Sequence, residues 1–191
     1  MSGLDYEIVA FTTNEASPTP FDILKIFINN HPHEIKADSS HALSCIVSPI
    51  NYPTSLNIMM CSLPDLNRTY EGLCDVSFYF LFVDLQKEDA QNAFNKIWSF
   101  MLKNCALNEK IYVFGVIKNK IDKKNMSKED IIKELEGKVL YKYIEINMEN
   151  KNEIEDIFLK IFLPFSPKKD DDDDINIIKG PKKQTHSCVL I

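Results

Sequence analysis

Asn119-Lys120-Ile121-Asp122 puts an amide, a lysine stem and a carboxylate within four residues, directly after the apolar run Ile111–Ile117. A carboxylate can accept from two N–H groups on one edge of a guanine base, an amide can contact the other edge, and a lysine stem can pack along the ring. In a random loop these residues read as a polar turn. At the carboxyl end of a central strand they make Asn119, Lys120 and Asp122 a candidate base-binding site. The sequence closes on Cys188-Val189-Leu190-Ile191, a thiol followed by two aliphatic residues and a terminal one, which is the pattern for isoprenoid attachment at Cys188. Ile191 leans towards geranylgeranyl over farnesyl. The bland alternative is an accidental apolar end. One lipid chain anchors marginally, so a second signal is expected. Lys179, Lys182 and Lys183 could each contribute about 1 kcal/mol near anionic lipid, opposed by the run Asp170–Asp174.

Other reactive residues are sparse. His31, His33, His41 and His186 fall in expected loops or the tail. His31 and His33 could bind a metal, but loop histidines are usually only solvated, so no metal site is expected. The five cysteines share no CxxC spacing, and no Cys or Ser has an evident catalytic partner. Hydrophobic residues are 45% and charged residues 26% of 191, the balance of an ordinary globular domain. The formal net charge of −6 argues against a general nucleic-acid binder. No apolar run approaches the ~20 residues of a spanning helix. No secretion signal is apparent, so reduced thiols in a cytosolic setting are expected.

The positioning elements follow from periodicity. Glu7–Phe11 is a strand, Thr12–Thr19 a loop without glycine, and Thr19-Pro20-Phe21-Asp22 a helix start: N-cap, proline at the first position, and an acid in the first turn. His31–Ser40 reads as a polar surface loop. Leu43–Val47 and Leu56–Cys61 form a hairpin around Asn51-Tyr52-Pro53, and Leu63–Glu71 is a loop. Val76–Val83 is nearly continuous apolar and aromatic, as a strand buried on both faces should be. Ala90–Leu102 is a helix and Ile111–Ile117 a strand. Ser127 with Asp130 opens a helix that Gly137 ends, and Leu140–Ile146 is a strand. Ile154, Ile157, Phe158, Ile161 and Phe162 make the stripe of a last helix, stopped by Pro164 and Pro167. Strands alternating with helices imply an α/β fold, a mostly parallel sheet with helices on both faces. Ligands in such sheets sit at the carboxyl ends of the strands, here the loops after Phe11, Cys61, Ile117 and Ile146. The run Asp170–Asp174 and the polar, basic stretch after Gly180 suggest that residues 166–191 form a disordered acidic and basic tail.

With NKID at 119–122 behind a buried strand and CVLI at 188–191, residues 6–165 resemble a Ras-like small GTPase, closer to the Ras branch than to the Rho branch. The resemblance implies the P-loop-NTPase-like small GTPase fold, with a sheet of about six strands, in a G domain over residues 1–165. It also implies GTP or GDP with Mg2+ as ligand, protein effectors, prenylation enzymes and membrane lipid acting through Cys188, and a place at the cytoplasmic face of a membrane with a cytosolic pool. The chain is expected to be a monomer.

The family's other motifs depart residue by residue. The phosphate loop GxxxxGK[ST] falls on Thr12–Thr19, where Thr12 and Ser17 replace the glycines and Pro18 replaces the lysine. Pro18 has neither charge nor N–H, and Glu15 adds a negative charge. Thr19 matches the magnesium-binding hydroxyl, although an N-cap role explains it without metal. DxxG falls on Met60-Cys61-Ser62-Leu63, with Pro64 in place of the water-orienting glutamine. Only Ser39 and Ser40 stand where a switch threonine belongs. SAK falls on Asn147-Met148-Glu149, and Lys118 replaces the glycine usual before NKID. Three base contacts of about 1–3 kcal/mol each, before the cost of association, fall short of the ~8 kcal/mol net of micromolar binding. The expectation is therefore a prenylated pseudo-GTPase, a membrane-associated signalling or trafficking module with little or no GTP hydrolysis. Two readings compete: an atypical GTPase holding GTP or GDP through NKID, and a soluble partner subunit.

Overall fold

Alternation of strands and helices along the chain builds a mixed sheet covered on both faces. The structure is a computed structural model and describes residues 4–13, 16–49, 53–63, 76–105, 110–139 and 141–163. The elements are β1 (Leu4–Thr12), α1 (Pro20–Asn29), β2 (His33–Asp38), β3 (Ala42–Val47), β4 (Thr54–Ser62), β5 (Phe78–Asp84), α2 (Ala90–Asn104), β6 (Lys110–Ile117), α3 (Lys128–Leu135), β7 (Tyr141–Asn147) and α4 (Lys151–Phe162). The sheet order is β2-β3-β4-β1-β5-β6-β7. β1 runs parallel to both β4 and β5, and β5-β6-β7 are parallel throughout. β2 and β3 are antiparallel to their neighbours. The fold is thus α/β and, among the described residues, has a seven-stranded mixed sheet and four helices.

Side-chain alternation along the central strands sends residues to opposite faces. Ile8, Ala10, Phe80, Phe82 and Phe114 join Leu24 and Phe27 of α1 and Phe158 and Phe162 of α4. Val9, Phe11, Tyr79, Leu81 and Val113 join Phe94, Ile97 and Trp98 of α2 and Ile131 and Leu135 of α3. All seven residues of β5 are buried, the consequence of lying between two helical layers.

Helix ends follow the local sequence. Thr19 and Asp22 make a reciprocal capping box at α1, and Ser127 and Asp130 make another at α3. Gly137 has φ +73° just past α3, the left-handed position that glycine fills without strain.

The hairpin of β3 and β4 forms as expected, although Asn51 and Tyr52 of its turn lie outside the described residues. Two expectations change. The sheet has seven strands among the described residues, and the one not expected is β2, where His31–Ser40 reads as a loop. His33 consequently lies in a strand. β2 is exposed along its whole length, so it has no buried face to leave a period-two signal. Main-chain pairing with β3 makes it a strand, assisted by its turn, where the Ser39 hydroxyl oxygen accepts from the Ala42 N–H at 3.0 Å. The strand expected from Leu140 runs Tyr141–Asn147, with Leu140 outside the described residues.

Candidate functional site

The carboxyl ends of β1, β5 and β6 bring together residues from 13 to 125. The strand register puts the end of β1 beside the end of β5, with Thr12 opposite both Phe82 and Ser62 of β4. The next residue, Thr13, is fully buried; its N–H donates to the Phe82 carbonyl at 3.0 Å and its hydroxyl oxygen accepts from the Asp84 N–H at 2.9 Å. Lys87 Nζ donates to the Thr13 carbonyl at 3.0 Å. Asp84, only 4% exposed, receives Lys118 Nζ at 2.8 Å on Oδ2 and the Gln86 N–H at 3.1 Å on Oδ1. A buried carboxylate needs such compensation, because leaving it alone in a low-dielectric interior is costly.

Gln86 holds the NKID loop. Its side-chain oxygen accepts from the Lys118 N–H at 2.7 Å and the Asn119 N–H at 3.2 Å. Its side-chain N–H2 donates to the Asn119 carbonyl at 2.6 Å and the Asp122 carbonyl at 3.0 Å. Asn125 ties the far side of the loop by donating to the Gln86 carbonyl at 2.8 Å. Asn119, Lys120 and Asp122 therefore stand in one turn past β6. Their side chains are unequal: Asn119 Oδ1 accepts from the Ile121 N–H at 3.0 Å, while Lys120 and Asp122 are exposed. Ile121 between them is 92% exposed. The Asn147-Met148-Glu149 loop sits alongside, its Met148 N–H donating to the Ile117 carbonyl at 2.9 Å.

The start of α1 is closed by its own side chains. Thr19 N–H donates to Asp22 Oδ2 at 2.8 Å, the Thr19 hydroxyl lies 3.1 Å from the same oxygen, and the Asp22 N–H donates back to that hydroxyl at 3.2 Å. Pro18 and Pro20 carry no N–H. From 18 to 22, only Phe21 keeps a backbone N–H outside the capping box and outside these prolines. Partial burial raises the Asp22 carboxyl, but hydrogen bonds from the Thr19 backbone, Ser17 and the Thr19 hydroxyl, with Lys25 nearby, outweigh it, and Asp22 titrates below an ordinary aspartate. An anion arriving at this helix end meets a carboxylate.

The other candidates are scattered. Ser17 and Thr19 lie at the α1 entry, while Asn14 and Glu15 between them and Thr13 lie outside the described residues. Met60 and Cys61 pair with Ala10 and Phe11 inside the sheet, and Cys61 is buried. Pro64, Cys188 and the tail lie outside the described residues. His31 Nε2 is 3.3 Å from Glu155 Oε1, and His41 contacts Ser40. Among the described residues no group of three or more His, Cys, Asp or Glu could hold a metal ion. Among them, too, no helix is long and apolar enough to cross a membrane.

Sequence reasoning passed over Thr13, Asp84, Gln86 and Lys87. Asp84 carried a signal, an acid closing an otherwise apolar strand. Gln86 carried none, since its partners are 32 to 36 residues away. Comparison with protein-family models and with curated proteins finds no match.

Proposed function

We propose that the chain is a Ras-like, GTPase-related binding module, anchored to a membrane by an isoprenoid on Cys188, whose surfaces act on partner proteins without a nucleotide cycle. The α/β sheet of the described residues has one strand more than the resemblance implies, and the reading is supported by NKID directly following the parallel strand β6.

The observation that carries the reading is the capped start of α1. A phosphate-binding helix end offers free backbone N–H groups and a positive field. Here two prolines remove donors, the capping box takes two more, and the Asp22 carboxylate holds the electrostatically favoured place. The Thr19 hydroxyl, the one match to a magnesium ligand, is committed to Asp22. Lys118 and Lys87, in the loops after β6 and β5, are engaged with Asp84 and with the Thr13 carbonyl. These residues do not suit a nucleotide's phosphates or its Mg2+. Phosphoryl transfer is mostly positioning and electrostatics, and these are the groups that would supply it.

Equilibrium binding of GDP and GTP with Mg2+, on protein stripped of ligand, tests this. No binding up to millimolar nucleotide is expected. Micromolar affinity lost in Asp122→Ala would overturn the reading in favour of a binder that works through NKID, whose Asp122 is exposed. Membrane fractionation of the wild type against Cys188→Ser tests the anchor, and equal membrane fractions would remove it.

A further inference from the structure

We propose that two copies of this chain associate edge to edge through β2, antiparallel and two-fold symmetric about Ile35. β2 ends the sheet, and all six of its residues are exposed. An outer strand presents a row of main-chain donors and acceptors to any second strand. Their direction follows from the ladder. The Pro32 carbonyl accepts from the Ser48 N–H at 2.8 Å, so Pro32 faces inward to β3. Directions alternate along an antiparallel strand, so the N–H and C=O of His33 and Ile35 point away from the sheet.

Ile35 is opposite Cys45, which is buried on the α1 side of the sheet. Facing residues of an antiparallel pair share a face, so Ile35 lies on the α1 side at its open margin. It is 42% exposed and is the one large exposed hydrophobic residue on a strand among the described residues. Two-fold pairing about Ile35 lets its N–H and C=O exchange two hydrogen bonds with their counterparts and sets the two isoleucines together. It also sets Glu34 of each copy opposite Lys36 of the other. A self-pairing strand needs opposite charges at equal distances either side of its axis, and Glu34-Ile35-Lys36 has that arrangement. Pairing about Glu34 instead would oppose two glutamates.

The register shift between Ile35 and Ala37 interrupts regular pairing just past the axis. It confines the contact to a short stretch and makes the dimer a weak, concentration-dependent one. β2 ends the sheet away from the carboxyl ends of β1, β5 and β6, so association through it does not depend on nucleotide binding there.

Sedimentation of the full chain, made without the lipid, across the micromolar to submillimolar range tests it. A reversible monomer–dimer equilibrium is expected. Glu34→Lys and Lys36→Glu should each weaken it roughly tenfold by opposing like charges, and the double reversal should restore it. Both side chains are exposed, and circular dichroism checks that the variants stay folded. A monomer at every concentration, a dimer indifferent to the single reversals, or a double reversal that fails to restore association would each overturn the proposal.

Discussion

Lys118 Nζ lies 2.8 Å from Asp84 Oδ2 and joins the loop after β6 to the end of β5. The two partners are unequally placed: Asp84 is buried, whereas about a third of the Lys118 side chain meets solvent. The carboxylate therefore has more to lose than the lysine. Lys118→Met should destabilise the fold by about 1–3 kcal/mol, near the lower end because water can reach the site. Asp84→Asn retains the shape and the bond from the Gln86 N–H, and should cost less. In urea unfolding the double variant should lose less than the sum of the singles. Additive losses would mean the pair is not coupled.

Gly115 lies near the carboxyl end of β6, opposite Glu145 of the parallel strand β7. A Cβ built there would run into the Tyr143 hydroxyl and stand 3.0 Å from Tyr143 Cζ and from Leu85 Cδ1. Burial, the charge of Glu145 and a hydrogen bond to it push the Tyr143 hydroxyl well above the usual tyrosine range, so it stays protonated and donates to Glu145 Oε1 at 3.3 Å. Gly115→Ala should cost about 1–3 kcal/mol by overpacking. Adding Tyr143→Phe removes the hydroxyl and should recover part of that loss. Thermal unfolding of both variants checks it, and a double variant no better than Gly115→Ala would place the clash elsewhere.

Legibility in the sequence followed burial. The strand expected at Val76–Val83 was readable because Phe78–Val83 are six buried apolar residues in a row. Thr19 with Asp22, and Ser127 with Asp130, were readable because a capping box is a contact three residues long. His33–Asp38 was not, since an edge strand without a buried face leaves no hydrophobic period. Asn119 and Asp122 were visible as a tetrapeptide. The clamp that positions them was not, because Gln86 meets that loop only through chain folding. The buried Asp84 shows the same limit: its position at a strand end was in the sequence, but its partner Lys118 was not.

Acid should unfold the protein partly through its two capping boxes. Asp22 and Asp130 both titrate below the ordinary aspartate value of 3.8. In Asp22 the hydrogen bonds outweigh burial; in Asp130 they come first from the Ser127 backbone and then from its hydroxyl. A depressed folded value means the unfolded chain takes up protons first. The stabilisation is complete above about that ordinary value and is lost as pH falls through the lower, folded one. Asp22→Asn should cost about 0.5–1 kcal/mol at neutral pH, and Asp130→Asn less, because its carboxylate is solvent-exposed. Each should also flatten the acid limb of the stability curve. Thermal midpoints measured from neutral pH down to well below the unfolded value check it; unchanged limbs in both variants would exclude the capping boxes as the cause.

Gln86 should control the NKID loop without controlling the fold. Its side chain is half-buried and joins the loop by four hydrogen bonds, two accepted from the Lys118 and Asn119 N–H groups and two donated to the Asn119 and Asp122 carbonyls. Gln86→Ala removes all four and leaves the Asp122 N–H to Asn119 carbonyl bond, at 3.3 Å, as a weak internal tie. The freed amides of Lys118 and Asn119 should exchange with solvent at least about tenfold faster, while β5 and β6 keep their protection. Hydrogen exchange read by peptide across residues 110–127 distinguishes the outcomes. Faster exchange confined to 118–122 is the expected one. Unchanged exchange would mean that backbone bonds alone hold the turn, and a loss of protection throughout β6 would make Gln86 a support of the sheet instead of the loop.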